Sequence, residues 1–60
     1  MTALARDEVQ RIREVAEELV EEHEWGAMGL DLRQVLADHG LPCGERAERE
    51  LGDHIVWLLS

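Results

Sequence analysis

Apolar side chains recur every three or four residues through the first part of the chain, which is the spacing of one face of an α-helix. At 100° per residue they fall on an arc of roughly 160°, with carboxylates on the opposite face. The arc consists of Leu4, Val9, Ile12, Val15, Ala16, Leu19, Val20 and His23. This pattern predicts an amphipathic helix over residues 3–25, with Thr2 as its N-cap and Gly26 as the left-handed residue that ends it.

A second helix is marked by capping signals at both ends. Asp31 is followed three residues later by Gln34, which is a capping-box pattern. Gly40 supplies the left-handed residue that ends many helices, and the apolar Leu41 after it can contact the last helical turn. These signals predict a helix over residues 32–39.

The third segment follows Pro42 and has its own apolar stripe at helical spacing. The stripe consists of Ala47, Leu51, Ile55, Leu58 and Leu59. It predicts a helix over residues 45–59, and no stretch before residue 55 shows the alternation of a β-strand. The predicted fold is therefore all-α, a small domain of three helices joined by short loops.

Val56 and Trp57 point roughly 100° or more away from this stripe, so the end of the third helix is apolar on two sides. A helix that is apolar all round is usually buried all round, and a chain of 60 residues offers little to cover the second side. Because Trp is enriched at interface hot spots, we predict that this surface binds a partner or completes the domain as a homodimer. The alternative is that Trp57 lies flat on the loop between the first two helices of its own chain.

The charge of the chain is strongly negative, because 14 Asp and Glu residues stand against six Arg and give a formal net charge of −8. This balance argues against direct binding to nucleic acid or to an anionic membrane surface, and it favours a basic protein partner. Five carboxylates near the end of the first helix are called the acidic cluster here: Glu17, Glu18, Glu21, Glu22 and Glu24. Like charges four residues apart repel each other. The cluster is therefore either a solvated face or a docking site for an Arg- or Lys-rich protein surface.

Cys43 is the only cysteine, so the chain forms no intrachain disulfide, and we expect a buried or half-buried structural thiol. No apolar run approaches the roughly 20 residues that a membrane-spanning helix needs, and the charged start does not resemble a signal peptide. These features predict a cytoplasmic protein.

A metal site is one alternative, because His39 and Cys43 stand four residues apart and His23 and His54 could complete a tetrahedral zinc site. Gly40, however, is expected to break the helix between the first two ligands, and His23 on the apolar arc is more simply a core histidine with one hydrogen bond. We therefore predict no metal and no other cofactor. Catalysis is not expected either, because Ser and Thr occur only near the chain ends, and a Cys43–His39 pair lacks the positive surroundings that activate a thiol.

Together these features predict a non-enzymatic interaction module, that is, an adaptor, an inhibitor or a regulatory subunit. Its predicted binding residues are the acidic cluster, Val56 and Trp57. One alternative is a DNA-mimic inhibitor, for example one encoded by a phage, whose carboxylates imitate phosphates in the groove of a nucleic-acid-binding protein. A second alternative is a small zinc-binding domain.

Overall fold

A computed structural model describes residues 4–60 of the protein. These residues form three α-helices: α1 (Arg6–His23), α2 (Leu32–Asp38) and α3 (Glu45–Leu59). A 3₁₀ helix, Glu24–Gly29, directly follows α1. The described part of the chain contains no strand, so the fold is a small all-helical domain, as the apolar periodicity predicts.

The first helix begins at Arg6, later than the sequence predicts. Ala5 is the N-cap, and its N–H donates to Oε1 of Glu8 at 2.9 Å. Alanine offers no side-chain acceptor, so only this half of a capping box forms. Asp7 and Glu8 also place negative charge in the first turn, where the helix dipole is positive. Thr2, the predicted N-cap, lies outside the described residues.

The first helix ends at His23, and the residue that turns the chain away is Glu24 rather than the predicted Gly26. Glu24 has φ 52° and ψ −125°, a positive φ that non-glycine residues rarely adopt. Gly26 lies inside the 3₁₀ helix, which starts two residues earlier than the expected turn. The 3₁₀ helix carries Ala27 into the core, where it is fully buried. This packing offsets the backbone strain at Glu24.

The start of α2 uses the signal seen in the sequence. Oδ1 of Asp31 accepts a hydrogen bond from the Gln34 N–H at 3.3 Å, so Asp31 is the N-cap. The Gln34 side chain does not return to the cap, because its Nε2 donates to Oδ1 of Asp38 at 2.9 Å. The helix ends at Asp38, one residue before the predicted end, with His39 as its C-cap.

The end of α2 is a Schellman motif, as the Gly-Leu pair predicts. Gly40 has φ 68°, and its N–H donates to the Ala37 carbonyl at 3.0 Å. The N–H of Leu41 donates to the Leu36 carbonyl at 2.9 Å. Leu36 and Leu41 are both buried in the core, so the apolar contact that accompanies this motif is present.

The third helix has the predicted bounds and packs mainly against α1, and it also contacts α2 and the 3₁₀ helix. The core is aliphatic: Ile12, Val15, Ala16, Leu19, Ala27, Leu36, Leu41, Ala47, Leu51 and Ile55. Among residues 4–60 no polar or charged side chain is buried. Gly52 allows close packing with α2, since a Cβ at this position would lie 3.3 Å from Cδ1 of Leu32.

An ion pair joins α2 to α3 on the surface. Nε of Arg33 donates to Oε2 of Glu48 at 2.6 Å. This hydrogen bond and the negative charge of Glu48 raise the pKa of Arg33 above its usual value, so the guanidinium stays charged. The pair is exposed to solvent, where such contacts contribute little to stability.

Candidate partner-binding surface

Four large apolar side chains are exposed in the described residues: Trp25 at 67%, Met28 at 55%, Val56 at 51% and Trp57 at 68%. The chain has no Phe or Tyr, so both of its large aromatic side chains lie outside the core. The exposure of Val56 and Trp57 agrees with their predicted position off the buried stripe of α3. Single exposed apolar side chains are common on protein surfaces, so the surroundings of each one indicate whether it can bind a partner.

Trp57 borders a cleft between α1 and α3, which we name the Trp57 cleft. The cleft has a volume of about 320 Å³ and is lined by Arg13, Glu50, Asp53, His54 and Trp57. The indole of Trp57 stacks on the imidazole of His54, with ring centroids 5.4 Å apart and 18° between the planes. Trp57 therefore lies against its own helix, and its 68% exposure disagrees with the alternative in which it lies flat on the loop after α1.

Val56 borders a different cleft, of about 180 Å³, which we name the Val56 cleft. Its lining residues are Ala27, Met28, Leu32, Gly52, Asp53, Ile55 and Val56. Consecutive helical residues point about 100° apart, so the predicted single surface of Val56 and Trp57 is divided between two clefts. Asp53 borders both. The sequence did not predict Met28 as a residue of this surface, because it lies in the 3₁₀ helix and not on an apolar stripe with α-helical spacing.

The acidic cluster lies on the solvent side of α1 and just after its end, and all five side chains are exposed. None of the five lines the Trp57 cleft or the Val56 cleft. Glu22 has a neighbouring base, since its Oε2 lies 3.8 Å from Nε2 of His23. The acidic cluster therefore forms no part of the lining of the Trp57 cleft.

The carboxylates beside Trp57 are instead Glu50 and Asp53, which sequence reasoning did not single out. A signal was available in the spacing of α3. Residues four and seven positions before Trp57 share its helical face, and these positions are Asp53 and Glu50.

The histidines and the cysteine are dispersed, and two predictions about them are wrong. His23 is exposed rather than a core residue, because it is the last residue of α1 and the chain turns away at Glu24. Cys43 is exposed rather than buried, because it lies in the connection between α2 and α3. Nδ1–H of His39 donates to the Val35 carbonyl at 2.9 Å, and His54 stacks on an indole. Across residues 4–60, no group of three or more His, Cys, Asp or Glu side chains is arranged to hold a metal ion.

Comparison with protein-family models, curated proteins and solved structures finds no significant match to this chain. Within the described part of the chain, no helix combines the length and the apolar character needed to cross a bilayer.

Proposed function

We propose that the protein is a non-enzymatic interaction module that binds another protein through the Trp57 cleft. The observation that carries this proposal is the exposure of Trp57, at 68%, on a regular helix. Removing apolar surface from water contributes about 25 cal/mol per Å², and truncating a hot-spot Trp commonly costs about 2 kcal/mol or more of binding free energy. Trp57 is therefore the residue of this cleft with the largest potential contribution to binding.

The acidic cluster has a separate role in this proposal, which is to attract a basic partner over distance. A net charge of −8 and five exposed carboxylates produce a negative field around α1. Such fields raise association rates and lose strength as salt screens them. We expect the cluster to act on the association rate and Trp57 to act on the dissociation rate.

We propose a second copy of the chain as the occupant of the Val56 cleft. Met28 and Val56 are both more than half exposed there, and Asp53 is the only charged residue in its lining. None of the five carboxylates of the acidic cluster lines this cleft. In this proposal the Val56 cleft is the contact surface of the homodimer predicted from the sequence.

The proposed compartment is a reducing cytoplasm. Cys43 is exposed, and an unpaired exposed thiol in an oxidising compartment tends to form intermolecular disulfides. A reducing compartment keeps this thiol free.

Affinity capture from the source cell, followed by mass spectrometry, tests the proposed function. The immobilised baits are the wild-type chain, Trp57→Ala and Trp25→Ala. Trp25 is a matched control, because it is the same residue type with almost the same exposure, 67% against 68%. We expect a protein that the wild type and Trp25→Ala retain and that Trp57→Ala loses by tenfold or more, a factor that corresponds to about 1.4 kcal/mol.

The DNA-mimic alternative predicts a different result, because it assigns the binding energy to carboxylates alone. In that case Trp57→Ala retains the partner, and replacing Glu21 and Glu22 by Gln abolishes capture. Retention by all three baits, or by none, contradicts the proposed function.

A further inference from the structure

We propose that the Trp57 cleft binds the guanidinium group of an arginine side chain presented by the partner. This inference rests on the proposed function and names the chemistry that the cleft recognises. It depends on three features of the cleft: an exposed aromatic side chain, two carboxylates in the same lining, and an arginine that forms no ion pair with them.

The aromatic feature is the stacked pair of Trp57 and His54. The imidazole lies nearly parallel to the indole, at 18° and 5.4 Å, and covers one of its faces. Trp57 is still 68% exposed, so much of the indole remains accessible to a ligand in the cleft that it borders. The stack on His54 restricts the rotamers of the indole, which lowers the entropic cost of placing a planar cation on it.

The carboxylate feature is the pair Glu50 and Asp53 on the same side of α3 as the indole. A guanidinium is planar and has donors in a fork that matches a carboxylate, so it can stack on Trp57 and hydrogen-bond to Asp53 or Glu50 at once. An ammonium group lacks the plane and the fork. The site therefore favours arginine over lysine.

The third feature is Arg13, the only cation in the lining of this cleft. The ion pairs among residues 4–60 are His23–Glu22 and Arg33–Glu48, so Arg13 makes no ion pair with Glu50 or Asp53 within 4.0 Å. Glu50 and Asp53 also line a neighbouring cleft with Arg46 and Arg49, and neither carboxylate forms an ion pair within 4.0 Å among residues 4–60. Both carboxylates can therefore accept hydrogen bonds from an arginine of the partner, while the positive charges of Arg13, Arg46 and Arg49 lower the affinity for it.

An NMR titration tests this inference through the indole N–H signals of the two tryptophans, assigned with Trp25→Leu. The probe is N-acetyl-arginine methylamide at fixed ionic strength, and the neutral isostere is the corresponding citrulline compound. We expect the Trp57 signal to shift saturably with the arginine probe, the Trp25 signal to stay in place, and the citrulline compound to bind more weakly.

Two substitutions in the Trp57 cleft should change the affinity for the arginine probe in opposite directions. Asp53→Asn should weaken binding of the probe by about two- to fivefold, the range of an exposed ion pair. Arg13→Gln should tighten it by a similar factor, while the matched control Arg6→Gln, with the same change of net charge outside the cleft, should change it by less than about 1.5-fold. Weaker binding by Arg13→Gln, equal shifts of both tryptophans, or equal binding of citrulline overturns the inference.

The two proposals can fail separately. If a protein is captured through Trp57 while the arginine probe does not move its signal, the proposed function stands and the guanidinium site is wrong. If the probe binds the cleft while no protein depends on Trp57 for capture, the guanidinium site stands and the proposed function is wrong.

Discussion

Replacing Glu24 by glycine should stabilise the protein, although Glu24 directly follows a helix and glycine is unfavourable within helices. Its φ of 52° and ψ of −125° lie in a region that residues with a Cβ seldom occupy. Glycine adopts positive φ without this steric cost. Glu24→Gly should therefore remove strain from the native state while leaving the core contacts of Ala27 in place.

The change in the free energy of unfolding that we expect for Glu24→Gly is the difference between two opposing contributions. A residue held in a sparsely populated backbone region costs roughly 1–3 kcal/mol, and glycine gives back about 0.4–1 kcal/mol through the greater freedom of the unfolded chain. The difference predicts that Glu24→Gly increases the free energy of unfolding by about 1 kcal/mol. For a chain of this size, that change raises the melting temperature by about 4–8 °C.

Urea unfolding followed by circular dichroism measures this change, with two control variants. Glu24→Gln removes the charge and keeps the strained conformation, so it isolates the electrostatic part. Glu17→Gly makes the same substitution within the regular part of α1, where it should lower stability by about 1 kcal/mol. If Glu24→Gly destabilises the protein as Glu17→Gly does, the account of the α1 end is wrong.

Three further predictions concern the α2 end, the acidic cluster and the Val56 cleft. Gly40→Ala should lower the free energy of unfolding by about 1–2 kcal/mol, because its φ of 68° is left-handed and Cβ is unfavourable there; an unchanged urea midpoint would contradict this. Added NaCl should raise the melting temperature of the wild type, because it screens the repulsion among the carboxylates of α1. The melting temperature of the double variant Glu21→Gln, Glu22→Gln should rise less. Equal rises in the two proteins would show that this repulsion is negligible. Light scattering should give a dimer mass for the wild type and a lower mass for Val56→Ser at the same micromolar concentration; a wild-type monomer at high micromolar concentration would contradict the proposed homodimer.

Local sequence signals predicted the elements that are specified locally. The bounds of α3 follow from an unbroken apolar stripe, and the end of α2 follows from Gly40 and Leu41, whose Schellman hydrogen bonds involve only neighbouring residues. The end of α1 was not predictable in this way. Burial of Ala27 overrides the preference of Glu24 for negative φ, and no local pattern reports that packing.

The candidate site was predictable only where it depends on local helical spacing, and not where it depends on packing between helices. Helical spacing alone places Val56 and Trp57 off the buried stripe. It does not show that Met28 of the 3₁₀ helix lines the same cleft as Val56, or that Arg13 of α1 lines the same cleft as Trp57. These residues are far apart in the sequence, so helical spacing does not relate them. The number of carboxylates near the end of α1 likewise indicated a binding site there, whereas only two, Glu50 and Asp53, line the cleft of Trp57.

Site-specific photo-crosslinking in the source cell tests the central claim, that a partner protein occupies the Trp57 cleft, without altering the residues that line it. Ser60 is a suitable position for p-benzoylphenylalanine, because its Oγ–H donates to the Trp57 carbonyl at 2.9 Å and it lies one helical turn beyond the indole. The control position is Ala37, which is exposed on α2. We predict a covalent adduct with one partner protein from position 60 and none from position 37. Adducts from position 37 alone, or equally from both positions, would contradict the claim.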